Sequence, residues 1–266
     1  MDIEKLKFTT TDGELPMEVN LSEMDQEIVS MLKTLRLPAM KESYLRMVAS
    51  DELAEYTATE LLYKLLSEQA ELRRNNTGAK RAKDANLWMP DARLALLEEH
   101  EIHVNTFQLE QFAKFNFVNH GGLLKVLVSD QFSRNYLTSA LGAHACMNKV
   151  KTFYIKFDHL VNPEYRDKYE RAVVDIDMLR NIPLLIIDDW LSYCIDEKNT
   201  NYLKSILEFR FIRGKGTILA SCYKVDGWTS FLKGTANTLR TFKKWFEMGN
   251  EISVKGCESV QIEDIG

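Results

Sequence analysis

Hydrophobic positions along the chain change their period twice. Residues 1–20 keep no sustained pattern, which predicts a flexible leader. From Ser22 the spacing turns helical. Ile28, Met31, Leu32 and Leu35 recur on one side, and Ser22 with Asp25 has the form of a helix cap. Pro38 suits the first turn of a second helix through Met40, Tyr44 and Met47. Thr57 caps a third, with Leu61, Leu62, Leu65, Leu66 and Leu72 along one face. Shorter helices are predicted over 91–101 and 106–115. After His120-Gly121-Gly122 the pattern alternates. Strands are predicted over 125–128, 151–157, 184–188, 216–221 and 251–254. Helices are predicted between them over 135–147, 163–175, 200–213, 229–232 and 235–246. Strands separated by helices need crossover connections, hence a mostly parallel five-stranded sheet flanked by helices. The predicted order is a leader (1–21), an all-helical N-terminal module (22–118) and an α/β domain (119–266).

Composition narrows the class. The chain has 266 residues, 45% of them hydrophobic and 27% charged, which is globular and sufficient for a sizeable core. No apolar run reaches the roughly 20 residues a membrane helix needs. The first residues lack the basic-then-apolar layout of a secretory signal, so a cytoplasmic protein is expected. Cys146, Cys194, Cys222 and Cys257 are far apart and form no CxxC pair, so neither a zinc site nor a disulfide frame is suggested. The net charge of −5 is unevenly spread. Residues 1–60 carry 13 acids against 6 bases, whereas residues 204–255 carry 10 bases against 4 acids. Such a dipolar chain can hold an anionic partner with one end while repelling it with the other.

Candidate chemistry gathers at one edge of the predicted sheet. In a parallel sheet ligands bind beyond the carboxyl ends of the strands, where residues 129–136, 188–189 and 221–222 fall. Asp188 and Asp189 end an apolar strand, a position from which one acid can hold Mg²⁺ and the next polarise a water. An acid at a strand end also serves simply to cap the following turn. Residues 129–136 stand where a phosphate loop of form GxxxxGK[ST] would lie. That form needs Gly at 129 and 134, Lys at 135 and Ser or Thr at 136; the chain has Ser129, Arg134, Asn135 and Tyr136. Glycines matter because the loop wraps its N–H groups around phosphate oxygens, which Cβ atoms obstruct.

A series of motifs in fixed order resembles one family. Leu35-Arg36-Leu37-Pro38-Ala39-Met40 is similar to the opening "LRLPGM" of the IstB-like helper ATPases of insertion sequences, relatives of the DnaC helicase loader in the AAA+ superfamily. Residues 61–74 resemble the family's next helix. Ala140-Leu141-Gly142-Ala143-His144-Ala145-Cys146 is similar to "ALGxxAC", residues 184–190 to "LLIIDDWG", residues 216–228 to "STIxTSQxPxxxW" and residues 255–259 to "KGxS". The resemblance covers roughly residues 30–260. It implies an AAA+ P-loop-type fold, ATP and Mg²⁺ as ligands, a role for Asp188 on the metal, and a sensor function at Ser221. It further implies double-stranded DNA, a transposase or replication protein, and copies of the same chain as partners.

The departures fall on the catalytic positions. Besides the four loop positions, the sensor triplet corresponds to Ala220-Ser221-Cys222, and the arginine-finger pair falls on Lys243-Lys244. Lysine lacks the planar fork of arginine and is no equivalent there. The expectation is a degenerate ATPase of a bacterial mobile element that acts as a DNA- and transposase-binding assembly factor. The competing expectations are a working ATPase that uses Arg134 as its cation and a protein-only module competing with an active paralogue. Two basic sets are candidate phosphate contacts for nucleic acid: Arg73, Arg74, Lys80, Arg81 and Lys83, and Lys243 with Lys244.

Overall fold

The computed structural model describes residues 5–8, 17–162 and 175–261, and the chain divides into two compact units, Met1–Thr77 and Gly78–Gly266. In the first unit two short strands, β1 (Lys5–Phe8) and β2 (Met17–Asn20), pair antiparallel, with Leu6 opposite Val19 and Phe8 opposite Met17. The leader expected to be flexible therefore holds a strand pair. Its period-2 alternation spans only four residues per strand, too short to stand out in the sequence.

Helix α1 (Glu23–Thr34) begins with the anticipated capping box: the Asp25 amide donates to Ser22 Oγ at 3.2 Å and the Ser22 amide to Asp25 Oδ2 at 2.9 Å. Asp25 also accepts from Tyr44 Oη at 2.6 Å, which ties α1 to α2 (Pro38–Ala49). Helix α3 runs from Ala58 to Asp84, starting from a reciprocal Thr57–Glu60 cap. Its Gln69 is buried and accepts from the Ala39 amide at 3.1 Å, supplying the N-terminal partner that Leu37 cannot give α2. Leu32, Met40, Tyr44, Met47 and Leu65 form the core of this unit.

In the second unit α3 continues through Gly78, where an added Cβ would lie 2.1 Å from Met147 Sδ and 3.2 Å from Met147 Cα, so a side chain there would force Met147 to shift. Residues 78–118 do not belong with the helical module by packing. Ala82, Leu87, Ala92, Leu97, Ile102, Phe115 and Val118 share a core with the sheet, so the unit begins at Gly78 rather than at 119. The helix predicted over 91–101 is a single 3₁₀ turn, Leu94–Leu96, because Ala92, Leu97 and Ile102 reach the core from an irregular path. Helix α4 (Thr106–Ala113) follows, capped by Asn105.

The sheet consists of β3 (Leu123–Leu127), β4 (Thr152–Lys156), β5 (Leu184–Asp188), β6 (Gly216–Ser221) and β7 (Asn250–Ser253), all parallel, in the order β4-β5-β6-β3-β7. Both faces are covered. On β5, Leu184 and Ile186 join the core beneath α5 (Gln131–Met147). Leu185 and Ile187 join the core beneath α8 (Glu197–Ile212) and α9 (Ala236–Glu247). Two short helices, α6 (Phe157–Val161) and α7 (Ile176–Asn181), complete the described connections. The helix expected over 163–175 lies almost wholly outside the described residues. The shorter one expected near 229–232 is a 3₁₀ stretch, Val225–Phe231. Among the described residues no helix is long and apolar enough to cross a membrane.

Two buried cations were not anticipated. Lys125, in the middle of β3, donates to Phe246 O at 2.7 Å and pairs with Glu251 at 2.8 Å. Arg210, fully buried on α8, donates to the carbonyls of Leu179 (2.7 Å), Ile182 (2.8 Å) and Gly216 and to Thr217 Oγ1 (3.0 Å). It joins the entries to β5 and β6 without a carboxylate.

Candidate functional site

The carboxyl edge of the sheet is formed by the ends of β4, β5, β6 and β3. Between β3 and α5 there are only three residues, Val128, Ser129 and Asp130. Asp130 caps the helix through Oδ2, which accepts from the Ser133 amide at 2.7 Å. The helix thus begins at Gln131 and not at Asn135, and residues 131–136 are helical turns instead of a loop. The signal was the cap itself: an aspartate three residues ahead of Ser133, directly after an apolar strand. Local amides are already bonded. Val128 N donates to Ser221 O (3.0 Å), Ser129 N to Cys257 O (2.9 Å) and Arg134 N to Asp130 O (3.0 Å).

Arg134 is the one loop position that meets the acid pair. Its guanidinium is buried. Nη1 donates to Val128 O at 3.0 Å, Nη2 donates to Asp189 Oδ1, and Nε lies 3.4 Å from Asp188 Oδ1. Lys156, at the end of β4, bonds Asp189 Oδ2 at 3.1 Å and sits 4.0 Å above the ring centroid of Trp88. Tyr154 Oη donates to Asp188 Oδ2. Two acids, two bases and a phenol thus form a closed cluster joining β4, β5 and the start of α5.

Their titration follows from this packing. Burial is the largest influence on Asp188, and with Asp189 beside it raises the carboxyl above its usual range against the opposing Tyr154 and Arg134 contacts. Burial pushes Asp189 up as well, but the hydrogen bond and charge of Arg134, helped by Lys156, outweigh it and hold that carboxyl low. Burial works against the Arg134 cation, yet Asp188 and Asp189 raise its pKa. Asp189 adopts φ 54°, a left-handed conformation that aspartate tolerates better than most residues. Its amide donates to Asp188 Oδ1 at 2.8 Å.

The other expected positions lie elsewhere. Asn135 is buried, and its Oδ1 has no hydrogen-bond partner. Tyr136 is buried too; its Oη accepts from the Arg93 amide at 3.3 Å, and its ring centroid lies 4.4 Å from that of His100. Ser221 Oγ donates to Trp190 O at 2.9 Å, which makes it part of the turn after β5. Tyr154, Lys156 and Trp88 were missed. Tyr154 and Lys156 alternate onto one face of β4, and Lys156 is in register with Asp188, so knowing the strand order would have found them.

A further strap crosses this edge. Val254 bridges Val104, Lys255 N donates to His103 O (2.8 Å), Glu258 bridges Val128 and Val260 N donates to Cys222 O (2.8 Å). Among the described residues no group of three or more His, Cys, Asp or Glu side chains is arranged to hold a metal ion.

The basic candidates are remote from this cluster in the sequence of elements. Arg73 and Arg74 are exposed on the first-unit part of α3. Lys80 and Lys83 are exposed, and Arg81 half-buried, on its second-unit part. Lys243 and Lys244 are exposed in the last turns of α9, which return the chain to the amino end of β7.

The chain is similar to known proteins in sequence and in structure. A family model described as IstB-like ATP binding protein matches residues 30–257. The chain is 24% identical over 201 residues to y4uH of Sinorhizobium fredii, which carries the name of an insertion-sequence ATP-binding protein; the match covers 75% of this chain and 81% of that one. Among solved structures, DnaI is similar at 16% identity over 62% of this chain and 92% of that chain, with a TM-score of 0.47. The DnaC helicase loader is similar at 17% identity over 66% and 99%, with a TM-score of 0.45.

Proposed function

The chain belongs to the IstB-like ATP-binding proteins, and from that premise we propose that it has kept the family's AAA+ fold as an assembly factor while losing its ATPase chemistry. The observation that carries this reading is the Arg134 guanidinium held between Asp188 and Asp189. A bound nucleotide with Mg²⁺ needs free loop amides, a cation for the phosphates and an open carboxylate for the metal. Here the amides of Val128, Ser129 and Arg134 are bonded within the chain, and the one cation of the loop region is consumed by both acids. The phenol of Tyr136, at the position of the Mg²⁺-binding hydroxyl, instead meets Arg93. These residues do not fit Mg-ATP.

A working ATPase with Arg134 as its loop cation is disfavoured for the same reason, since that guanidinium is buried and already ion-paired to both acids. What remains for function is surface. The first unit leaves Met24, Met31 and Leu35 exposed on α1 and Leu62, Tyr63 and Leu66 on α3, an apolar exposure that suits a protein partner. The protein partners proposed for it are a transposase or replication protein and further copies of the chain, and double-stranded DNA is proposed for the basic residues. Arg73, Arg74, Lys80, Arg81, Lys83, Lys243 and Lys244 are the candidate phosphate contacts, and Ser129, Asn135 and Ser221 serve as structural residues.

Calorimetric titration of the full chain with ATP and Mg²⁺ tests the first part; no binding heat is expected. Micromolar affinity that disappears in Asp188→Ala would overturn it.

A further inference from the structure

The opposite edge of the sheet, where the strands begin, carries an excess of positive charge, whereas the acids and bases at the carboxyl edge balance. The connections entering β4 and β6 carry Lys149 and Lys151, and Arg213 and Lys215, and the last turns of α9, ahead of β7, carry Lys243 and Lys244. Strand order places them in one row, and backbone bonds hold the first two pairs adjacent. Leu184 N donates to Lys151 O at 3.1 Å and Gly216 N to Pro183 O at 3.0 Å. Lys149 and Lys151, with Lys114, line a cleft of about 960 Å³ that reaches Pro183. Among the described residues none of the six pairs with a carboxylate. Helix ends account for part of this charge, because α5, α8 and α9 all direct their carbonyl ends to this edge. Each such end offers only about half a negative charge, however, and each connection carries two cations. Glu247 on α9, Glu208 on α8 and Glu110 in the cleft are acids near these pairs in sequence and lining, and three acids against six cations leave the row positive. Lys149 even occupies a left-handed conformation (φ 65°), where glycine would be the cheaper choice.

We propose that this amino edge of the sheet is a binding surface for the phosphate backbone of double-stranded nucleic acid, with Lys149, Lys151 and Lys215 as its central contacts. The strands that carry the cations, β4, β6 and β7, alternate with β5 and β3, so at about 4.8 Å per strand their entries stand roughly 10 Å apart along the edge, a line of positive charge that a phosphate backbone can follow. The two rings lining the cleft, Phe115 and His144, are buried and half-buried and pack on each other with centroids 5.9 Å apart, so the cleft offers no open face for stacking single-stranded bases, and phosphate contacts alone read no sequence. The inference rests on the reading that this protein acts on DNA, and it locates that contact in the second unit, apart from Arg73 and Arg74.

The test is fluorescence anisotropy of the full chain with a short labelled duplex across a salt series. The variant Lys149→Gln/Lys151→Gln/Lys215→Gln should bind at least about tenfold more weakly, with a log–log salt slope shallower by about 2–3. Lys198→Gln/Lys224→Gln/Lys255→Gln makes the same charge change at the other edge and should bind like the unaltered chain. Lys149→Gly/Lys151→Gln serves if the triple variant fails to fold. Unaltered binding by the amino-edge variant, with loss in Arg73→Gln/Arg74→Gln, overturns the inference and leaves the DNA reading standing. Equal loss in both triple variants overturns it as well. Failure of the unaltered chain to bind duplex removes the DNA reading itself. Binding of poly-glutamate in place of duplex, lost in the amino-edge variant, would make the surface a dock for acidic polypeptide and overturn the inference.

Discussion

Arg134 and Arg210 are both buried and both hold strand ends together, yet they do so at opposite edges of the sheet and by different chemistry. Arg134, at the carboxyl edge, is neutralised by Asp188 and Asp189, which raise its pKa despite burial. Arg210, at the amino edge, has only carbonyls and a hydroxyl around it, and burial alone pulls its pKa down to about 9. Carbonyl dipoles satisfy the donors of a guanidinium without cancelling its charge. The difference teaches which edge is closed. Internal charge is balanced where a ligand site would stand, and it is left unbalanced where the surface faces outward with further bases.

The comparison breaks most visibly if Arg134 is removed. Arg134→Met leaves buried Asp188 without a cation and Asp189 with Lys156 alone, and urea denaturation should register a loss of roughly 3–5 kcal/mol. Adding Asp188→Asn and Asp189→Asn should restore much of it, since apolar or neutral replacements of a whole buried ion cluster are often tolerated. A loss well under that range would mean that water already screens the cluster. Arg210→Met should cost less, roughly 1–3 kcal/mol, because the orphaned carbonyls lose hydrogen bonds but no charge is stranded. A larger loss than for Arg134→Met would reverse the contrast.

Acid titration sharpens it further. The folded pKa of Asp189 lies below the unfolded 3.8, so its contribution is complete above 3.8 and disappears as pH falls through the folded value. Asp188 acts in the opposite sense: its raised pKa means that protonation relieves a buried charge and returns stability. Asp189→Asn should therefore flatten the acid-side loss in urea midpoints, whereas Arg210→Met, with no carboxylate partner, should leave its slope unchanged. The smallest effect is expected for Lys156→Met, roughly 0.5–1 kcal/mol, read together with a shift in Trp88 emission as the cation leaves its ring.

How much of this was legible depended on distance along the chain. The limits of β5 and β6 were readable because continuous apolar runs end at polar residues, and the caps at Ser22 and Thr57 because both partners lie within three residues. Lys125 looked like an ordinary strand residue, since its partner carbonyl at Phe246 is set by tertiary pairing. The sequence leaves Arg134 open as a ligand cation because residues 129–136 stand where a phosphate loop would lie, whereas the Asp130 cap commits the segment to helix. Residues 78–118 were grouped with the helical module because their apolar spacing looks helical, though that spacing serves the sheet's core.

The strap formed by residues 254–260 imposes an order of events during synthesis. β3 is the first strand of the sheet to leave the ribosome, but its two neighbours, β6 and β7, are among the last. Its carboxyl end is closed later still, when Cys257 reaches Ser129 and Val260 reaches Cys222. Until then a buried, apolar strand must wait with both edges unpaired, a state that is slow to resolve and open to wrong pairings. Conditions that delay elongation between β3 and β7 should therefore lower the soluble yield more than equal delays within the first unit.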